Sequence, residues 1–471
     1  MLVNRREVIM QIADQFLDVE KFKQGAEQFL QQYPKTERLE LLFVDLNGIL
    51  RGKWLPVSSL LKLTEGAFRL PRSVCFADMW SEDTSELGLG IKVGDPDGIC
   101  LPIIETLSPV PWASVPSAQM LLTMLDQEDM QPCQYSPRVV LERELQALEQ
   151  KGLTPVVATE LEFYFVDCAL DNHYPQTPLN SDGERIDKDQ QYSMQILEQF
   201  EPVLQDILNT AALQNLPVDT TIAECGPAQF EINLLHQKDA LLAADQAILL
   251  KRLVKNVARK HHLKATFMAK PFAGEMGNGM HVHASLNNAQ GQNIFASEDG
   301  AIHPKLAQCV AGLLESMTDT QLIYAPHANS YKRYSPGFFA PISPCWGYDH
   351  RAAAVRVPAI EGAAARLEHR VAGADSNPYL VVAAVLAGMR HGLDNALTLE
   401  PPLANNTDLN DLQPMTRHWP IAIINLRDSA FIAQYFGAEF ARAYSGIKDR
   451  EELVFSRSIS AFECDTYLFT V

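Results

Sequence analysis

Acidic and imidazole side chains recur along this sequence in pairs that are two residues apart. Glu160 and Glu162 alternate with apolar residues in Thr-Glu-Leu-Glu-Phe-Tyr-Phe, and His281 and His283 do so in Met-His-Val-His-Ala-Ser-Leu. Residues two apart in a β-strand lie on the same face, so each pair is predicted to share one polar face. Carboxylates are the ligands that Mg²⁺ and Mn²⁺ prefer, and Mn²⁺ also accepts imidazole.

Three further segments carry charged side chains in the same alternating pattern. Glu231 lies in a predicted strand, and the Gly-Pro pair before it lets the chain turn so that Glu224 can approach the same point. Two arginine-rich segments follow at 349–358 and 366–371. Their charged residues include Arg351, Arg356, Glu368 and Arg370.

The combination of side chains matters more than any one strand. Each strand taken alone could be amphipathic with a solvated polar face. Together, the outward residues are nearly all Glu, His and Arg, and carboxylates gathered without lysine repel one another unless a cation binds between them. Arginine forks match carboxylates or phosphates. Carboxylates, metal ions and arginines together indicate phosphoryl transfer.

Composition excludes several other classes of protein. The 471 residues carry a formal net charge of −19, which argues against nucleic-acid and membrane partners and suits cationic small molecules. The longest apolar run, 379–389, is too short to span a bilayer. The eight cysteines form no Cys-x-x-Cys pair, and the N-terminus lacks an apolar leader. A cytoplasmic location is therefore predicted.

Hydrophobic periodicity predicts an α+β protein with three parts. A hairpin around an Asn-Gly turn is expected at 39–57, a Ser-Pro pair at 136–137 predicts the start of a helix, and one helix is expected over 191–214. The predicted parts are an N-terminal helical segment (1–35), a small domain (36–130) and a large domain (136–471).

At these residues the sequence resembles the glutamine synthetases, specifically the bacterial type I group and its branch that forms γ-glutamylamines. The resemblance covers about 36–400 and rests on eight motifs, two of which are Arg351 with Arg356-Val-Pro358 and the segment 374–379; six others complete the set. They are the Asp45-x-Asn-Gly hairpin, Glu160-Leu-Glu162, Glu224-x-Gly-Pro-x-Gln-x-Glu231, Gly277-Asn-Gly-Met-His281-Val-His283-x-Ser285, the Arg333 segment 329–337, and Glu368-His-Arg370. It implies an N-terminal β-grasp domain, a catalytic domain with a curved antiparallel sheet, and a homododecamer with active sites between subunits.

The resemblance also implies the cofactors and the residues that bind them. ATP would be a substrate, with two or three Mg²⁺ or Mn²⁺ ions. One ion would take Glu162, Glu224 and Glu231, and the other would take Glu160, His281 and Glu368. The residues assigned to ATP are His283, Ser285, Arg351 and Arg356. The residues assigned to glutamate are Gly277, Arg333 and Arg370, the last with a catalytic role.

The implied reaction has two steps. The γ-carboxylate of L-glutamate attacks the terminal phosphate of ATP to give γ-glutamyl phosphate, and an amine then displaces phosphate. Arg351 is expected to neutralise the charge on the transferring phosphoryl group. Asp45 is expected to reach the amine site of the adjacent subunit and to anchor or deprotonate the amine.

One departure from the family pattern bears on the amine. Where glutamine synthetases carry a glutamate in a Pro-Gly-x-Glu-x-Pro loop, this sequence has Phe339. A phenyl ring cannot accept a proton, but it can line a pocket for an alkyl chain. Phe339 is therefore predicted to bind substrate, the acceptor being putrescine or a related polyamine. A core phenylalanine is the alternative for this residue, and a glutamine synthetase that uses ammonium is the alternative for the protein.

Overall fold

The strands of this protein belong to two sheets. The structure is a computed structural model that describes residues 16–82, 84, 87–167, 175–186, 191–298, 300–335, 337, 340–404, 407 and 411–471. Within these residues, the first sheet contains β1 (Arg38–Val44), β2 (Leu50–Pro56), β3 (Arg69–Pro71), β4 (Asp97–Pro102), β5 (Ser108–Pro109) and β6 (Ser117–Asp126). Its order is β2-β1-β6-β4-β3, with β5 also paired to β6.

The first sheet contains the predicted hairpin. β1 and β2 pair antiparallel, while β1 and β6 pair parallel. Gly48 turns the chain between β1 and β2 with φ of 75°, a conformation that glycine adopts without strain. The prediction of a hairpin with an Asn-Gly turn is confirmed.

The second sheet carries the polar strand faces identified in the sequence. Its described strands are β7 (Thr154–Asp167), β8 (Val218–Ala223), β9 (Gln229–Leu234), β10 (Leu263–Thr266), β11 (Met280–Asn287), β12 (Trp346–Tyr348), β13 (Val355–Ala359) and β14 (Arg366–His369). The order is β12-β13-β14-β11-β7-β9-β8, with β10 also paired to β7. Every pair is antiparallel except β12 with β13 at the edge.

Helices precede, connect and follow these strands. Those of the described residues are α1 (Val19–Gln32), α2 (Pro137–Glu149), α3 (Met194–Gln199), α4 (Glu201–Leu213), α5 (Ala240–Lys260), α6 (Pro304–Tyr324), α7 (Pro378–Asp394), α8 (Trp419–Asp428), α9 (Ala430–Tyr435), α10 (Ala438–Arg457) and α11 (Ala461–Tyr467). None of them is both long and apolar enough to cross a lipid bilayer.

The apolar face of the second sheet packs in the core, and this leaves the polar face free to form a site. Leu161, Phe163 and Phe165 of β7 are fully buried, as are Val282 of β11 and Ile232 of β9. This alternation of buried apolar and polar residues is the one that the sequence predicted. The α+β class is confirmed.

The prediction of one helix over 191–214 is wrong. The chain forms two helices, because Phe200 leaves the helical conformation with φ of −109° and ψ of 10°. Pro202 then occupies the first turn of α4, where its missing N–H costs no hydrogen bond.

Candidate active site

A cavity of about 430 Å³ opens on the polar face of the second sheet, within the size range of small-molecule sites. The predicted site residues that line it are Glu160, Glu162, Glu224, Glu231, Gly277, His281, His283, Arg333, Arg351, Arg356 and Arg370. We call it the active-site cavity. It brings together residues from β7, β9, β11 and β13 and from the loops that join the strands.

Strand register explains why these side chains meet. In β7, Glu160 lies opposite His281 of β11 on one side and Asn233 of β9 on the other. Glu162 lies opposite Glu231. Directly opposed residues in an antiparallel pair bring their side chains close together. The register therefore gathers carboxylate and imidazole groups from three strands into one cluster.

Glu160 is the centre of this cluster. Its two carboxylate oxygens lie 3.0 Å from His281 Nδ1 and 2.9 Å from His283 Nε2. Asn233 Nδ2 donates a third hydrogen bond at 3.2 Å. Burial opposes ionisation of Glu160, but the hydrogen bonds from the two histidines outweigh it and hold its pKa well below the ordinary value.

The other carboxylates of the cavity respond to burial and to one another. Burial, with the charges of Glu160 and Glu162, raises the pKa of Glu231 well above its ordinary value. Burial and the charge of Glu162 raise the pKa of Glu224 to about 7. Both shifts express the cost of placing several negative charges together without a cation.

Glu368 is fully buried at one side of the cavity, opposite His283 in the ladder between β11 and β14. Arg356 Nη1 lies 2.8 Å from its Oε2, and Arg370 Nη1 donates to its Oε1. Burial would raise the pKa of Glu368, but the charges of Arg370 and His281 hold it below the ordinary value. Glu368 thus fixes both guanidinium groups at the cavity.

Two sets of donors could each hold a divalent cation. Glu160, Glu231 and His281 offer ligand atoms within 4.8 Å of one another, as do Glu160, His283 and Glu368. Carboxylates with an imidazole fit Mn²⁺, and Mg²⁺ prefers the oxygens. Both sets share Glu160. The assignment made from the sequence differs, because it also uses Glu162 and Glu224 and gives His283 to ATP, and it stays a prediction.

Glycines allow Arg333 to approach the sheet. A Cβ on Gly277 would lie 2.8 Å from Arg333 Cγ, and one on Gly279 would lie 2.7 Å from Arg333 Nη2. Arg333 is buried, and its Nη1 donates to the carbonyl oxygen of Val371 at 2.7 Å. The Gly-Asn-Gly sequence before β11 is therefore a packing requirement of this arginine.

The turn that carries Glu224 also depends on a glycine. A Cβ on Gly226 would lie only 1.8 Å from Tyr164 Oη. This hydroxyl is held in place, because it donates to the carbonyl oxygen of Met276 at 2.8 Å. Ala228, which follows Pro227 in the same turn, adopts a left-handed φ of 58°. The sequence prediction that Gly226-Pro227 bends the chain toward the cavity agrees with this geometry.

Three residues of the cavity were not identified from the sequence. Arg351 Nη1 donates to Tyr192 Oη at 3.0 Å, and Gln191 Nε2 lies 3.4 Å from Glu224 Oε2. Arg366 Nε donates to His283 Nδ1 at 3.2 Å. Gln191 and Tyr192 precede α3 in the structure, whereas the sequence placed them at the start of a helix, and no signal marked them as site residues. Arg366 had a signal, since it lies two residues before Glu368 on the same strand.

Of the remaining predicted residues, Ser285 and Asp45 lie outside the cavity lining. Ser285 is buried on β11, two residues beyond His283. Asp45 ends the hairpin strand β1, and its buried carboxylate is bound by Arg51 Nε at 2.8 Å and by the Ile49 N–H. Within one chain it does not reach the cavity. Phe339 lies outside the described residues, while its neighbour Ala340 lines the cavity.

The profile of the glutamine synthetase catalytic domain matches residues 134–467. The chain belongs to the glutamine synthetase family. Members of this family join a carboxylate to an amine at the expense of ATP, so the protein is an ATP-dependent carboxylate–amine ligase.

Similar proteins within the glutamine synthetase family differ in the amine that their names specify. The chain is 41% identical to gamma-glutamylputrescine synthetase PuuA of Escherichia coli K12, over 95% of each chain. It is 30% identical to glutamate–isopropylamine ligase of a Pseudomonas species, over 92% of this chain and 95% of the relative. It is 33% identical to glutamine synthetase of Thermococcus kodakarensis, over 77% and 76%.

A solved structure of the same family has a similar fold. GmaS in complex with ADP superposes with a TM-score of 0.81 at 25% identity, over 94% of this chain and 98% of that one. The agreement extends across both sheets, because it covers nearly the whole of each chain.

Proposed function

We propose that this protein joins the γ-carboxylate of L-glutamate to an organic amine, putrescine or a related polyamine, by way of γ-glutamyl phosphate. The observation that carries the proposal is the active-site cavity, where acidic and imidazole donors on three strands face the guanidinium groups of several arginines. That combination suits the transfer of a phosphoryl group between two anions.

The first step brings the γ-carboxylate of glutamate against the terminal phosphate of ATP, and both groups are negative. Divalent ions, when bound by the cluster around Glu160, supply positive charge between them. Arg351 and Arg356 add positive charge to the lining of the same cavity. Arg356 is held there by Glu368 at 2.8 Å, so it needs little reorganisation as charge develops.

Glutamate is proposed to bind beside Gly277, between Arg333 and Arg370. A planar guanidinium matches a carboxylate with two parallel hydrogen bonds. The backbone carbonyl oxygens of Val371 and Arg351 fix the two arginines, through Nη1 of Arg333 and Nε of Arg370. His283, which Arg366 and Glu160 hold from both sides, is proposed to contact ATP together with Ser285.

The second step needs an uncharged amine to attack the acyl phosphate. Two observations support an organic amine rather than ammonium. Phe339 occupies the position where glutamine synthetases carry a proton-accepting glutamate. The chain is also 41% identical, over 95% of its length, to an enzyme named for the synthesis of γ-glutamylputrescine.

The oligomer is part of the proposal. Asp45 does not reach the cavity of its own chain, so its assigned role with the amine requires a second subunit. We propose a homododecamer in the cytoplasm with its active sites between subunits, as the family resemblance implies. Burial raises the pKa of Asp45 to about 6, which makes its carboxylate a stronger base than an ordinary aspartate.

The proposal is tested by following phosphate release from ATP with glutamate and one amine at a time. Putrescine and related diamines or polyamines should give a higher kcat/KM than ammonium, and the product should be a γ-glutamylamine by mass spectrometry. Phe339→Glu should move the preference toward ammonium, with Phe338→Glu as the neighbouring control. Faster turnover on ammonium in the unmodified enzyme would instead identify a glutamine synthetase.

A further inference from the structure

A second cavity of about 850 Å³ lies apart from the active-site cavity and shares none of its lining residues. It is bounded by the β1–β2 turn, by one side of α5 and by the segment 264–268. Besides Arg252, which is paired with Glu40, its lining contains four basic residues that we call the basic wall of this basic cavity: Lys251, Lys255, Arg259 and Lys264. In a chain with a net charge of −19, such a concentration of cations calls for a physical reason.

The basic wall is built by helix periodicity. Lys251, Lys255 and Arg259 follow one another at intervals of four residues, so they lie in one row along α5. Lys264 joins them from β10. None of the four forms an ion pair with any described residue, although Lys251 Nζ donates to the carbonyl oxygen of Ser376 at 3.2 Å.

These cations act on one another. The ammonium groups of Lys251 and Lys255 both lie 5.6 Å from the centre of the Phe267 ring. Burial and the neighbouring charge of Lys255 lower the pKa of Lys251 to about 7. Burial and the charge of Arg259 likewise lower the pKa of Lys255. Charges in this arrangement are destabilising unless an anion lies among them.

The lining of the cavity supplies one carboxylate for these four cations. Among the residues that line the basic cavity, Asp375 is the acidic one. Its Oδ2 accepts a hydrogen bond from Ser330 Oγ at 2.6 Å, and it forms no ion pair with Lys251. Asp375 attracts Lys251 from beyond ion-pair distance, but one carboxylate does not balance four cations among the described residues of this lining.

Another part of the cavity lining is apolar and aromatic. Trp80 and Phe455 are about half exposed, and their ring centres lie 6.0 Å apart at the cavity. Ile49 and Leu50 from the hairpin continue this part of the lining. A ligand that satisfies both parts carries an anionic group at one end and a flat or apolar body at the other.

We propose that the basic cavity binds a small organic phosphate, whose phosphate group contacts Lys251, Lys255 and Arg259 and whose planar or apolar body packs against Trp80 and Phe455. Phosphate carries more charge than a single carboxylate, which suits three or four cations. Within one chain this site is separate from the active-site cavity, because the two cavities have no residue in common. It goes beyond the proposed ligase reaction and does not depend on the identity of the amine.

Pyridoxal 5′-phosphate is a direct probe, since it combines a phosphate with a flat ring. Its aldehyde condenses with an uncharged lysine amine and releases water, and borohydride reduces the resulting imine to a stable label. The full-length enzyme is labelled at neutral pH and its peptides are mapped by mass spectrometry. Pyridoxal, which lacks the phosphate, is the matched probe.

We expect pyridoxal 5′-phosphate to label Lys251 or Lys255 about ten times faster than pyridoxal, because the phosphate adds ion pairs that the uncharged probe lacks. Pyrophosphate should compete. Equal labelling by the two probes, or labelling confined to lysines outside the basic cavity, would overturn the proposal.

Two exposed residues provide variants that spare the fold. Arg259→Gln combined with Lys264→Gln removes half of the basic wall, and Lys260→Gln removes one charge from the same helix outside the cavity. The double variant should lower labelling by pyridoxal 5′-phosphate about fivefold, the size expected for two screened ion pairs, and leave labelling by pyridoxal unchanged. Lys260→Gln should change neither. An unchanged double variant would contradict the site.

Discussion

Glu162 on β7 lies directly opposite Glu231 on β9. Like charges in directly opposed positions destabilise an antiparallel pair. Burial and the charges of Glu160 and Glu162 raise the pKa of Glu231 for the same reason. The sheet thus contains a repulsion between carboxylates that a bound cation would relieve, which is the arrangement expected of a functional site formed at a cost in stability.

Replacement of one of these carboxylates should affect the melting temperature differently in the absence and in the presence of divalent ions. Without divalent ions, Glu231→Gln should melt at or above the temperature of the unmodified protein, because the repulsion is relieved. With Mn²⁺ or Mg²⁺ in excess, the unmodified protein should gain stability, by about 2.7 kcal/mol at a hundred times Kd, and the variant should gain less. Melting curves in EDTA and in metal measure both effects.

The control for this experiment is Glu149→Gln, a carboxylate at the exposed end of α2. It should keep the full gain on metal addition. If Glu231→Gln also kept the full gain, Glu231 would not be a metal ligand.

The turn at Gly226 predicts a loss of activity from one added methyl group. In Gly226→Ala the new Cβ would meet Tyr164 Oη at 1.8 Å, and Tyr164 cannot yield without losing its hydrogen bond to Met276. Glu224 must then shift, and a misplacement of this kind costs about a hundredfold in kcat. Steady-state kinetics should show this loss.

Gly274→Ala is the matched substitution, because a Cβ there would meet no atom within 4 Å. It should retain normal activity. Equal kcat values for the two alanine variants would show that activity does not depend on the exact position of Glu224.

The hydrogen bond between Arg351 and Tyr192 predicts a positioning role for the tyrosine. Tyr192→Phe removes the hydroxyl that accepts from Arg351 Nη1 at 3.0 Å. We expect kcat to fall about tenfold, the size of one hydrogen bond to a charged group, while the KM for glutamate stays nearly constant. Tyr348→Phe, at the edge of the same sheet, is the control. A change confined to KM would argue that Tyr192 contacts substrate instead.

The lowered pKa of Lys251 should make the stability of the protein depend on pH. Burial and Lys255 lower its pKa from 10.5 to about 7, so between these values the unfolded state binds more protons than the folded state. The contribution of Lys251 to stability therefore rises with pH from about 7 to about 10. Lys251→Met should lack this rise.

Paired denaturation curves of both proteins across that pH range provide the measurement. The unfolding free energy of the unmodified protein, relative to Lys251→Met, should increase with pH. Lys260→Met, at the exposed end of the same helix, is the control. A constant difference between Lys251→Met and the unmodified protein would contradict the lowered pKa.

Much of the site could be predicted because it lies on strands. Alternation of polar and apolar residues assigns each strand face, and this was sufficient to group Glu160, Glu162, Glu231, His281 and His283 before their distances were known. Arg356 of β13 and Glu368 of β14 followed by the same logic. The family resemblance then supplied their roles, which stay predictions.

The parts that could not be predicted depend on contacts that are distant in sequence and lack a periodic signal. Tyr192 reaches Arg351 across 159 residues from an irregular segment. The break between α3 and α4 follows from the local conformation of Phe200, which an otherwise helical pattern conceals. The lysine row of α5 has a helical period, but only the fold shows that it faces a cavity.

The most direct test of the account follows an oxygen atom. Glutamate labelled with ¹⁸O in its γ-carboxylate is incubated with the enzyme, ATP and putrescine, and phosphate and product are analysed by mass spectrometry. Attack of the γ-carboxylate on ATP predicts that one ¹⁸O leaves with phosphate and that γ-glutamylputrescine retains the other. Phosphate without ¹⁸O would contradict the acyl phosphate, and an absence of γ-glutamylputrescine would contradict the proposed acceptor.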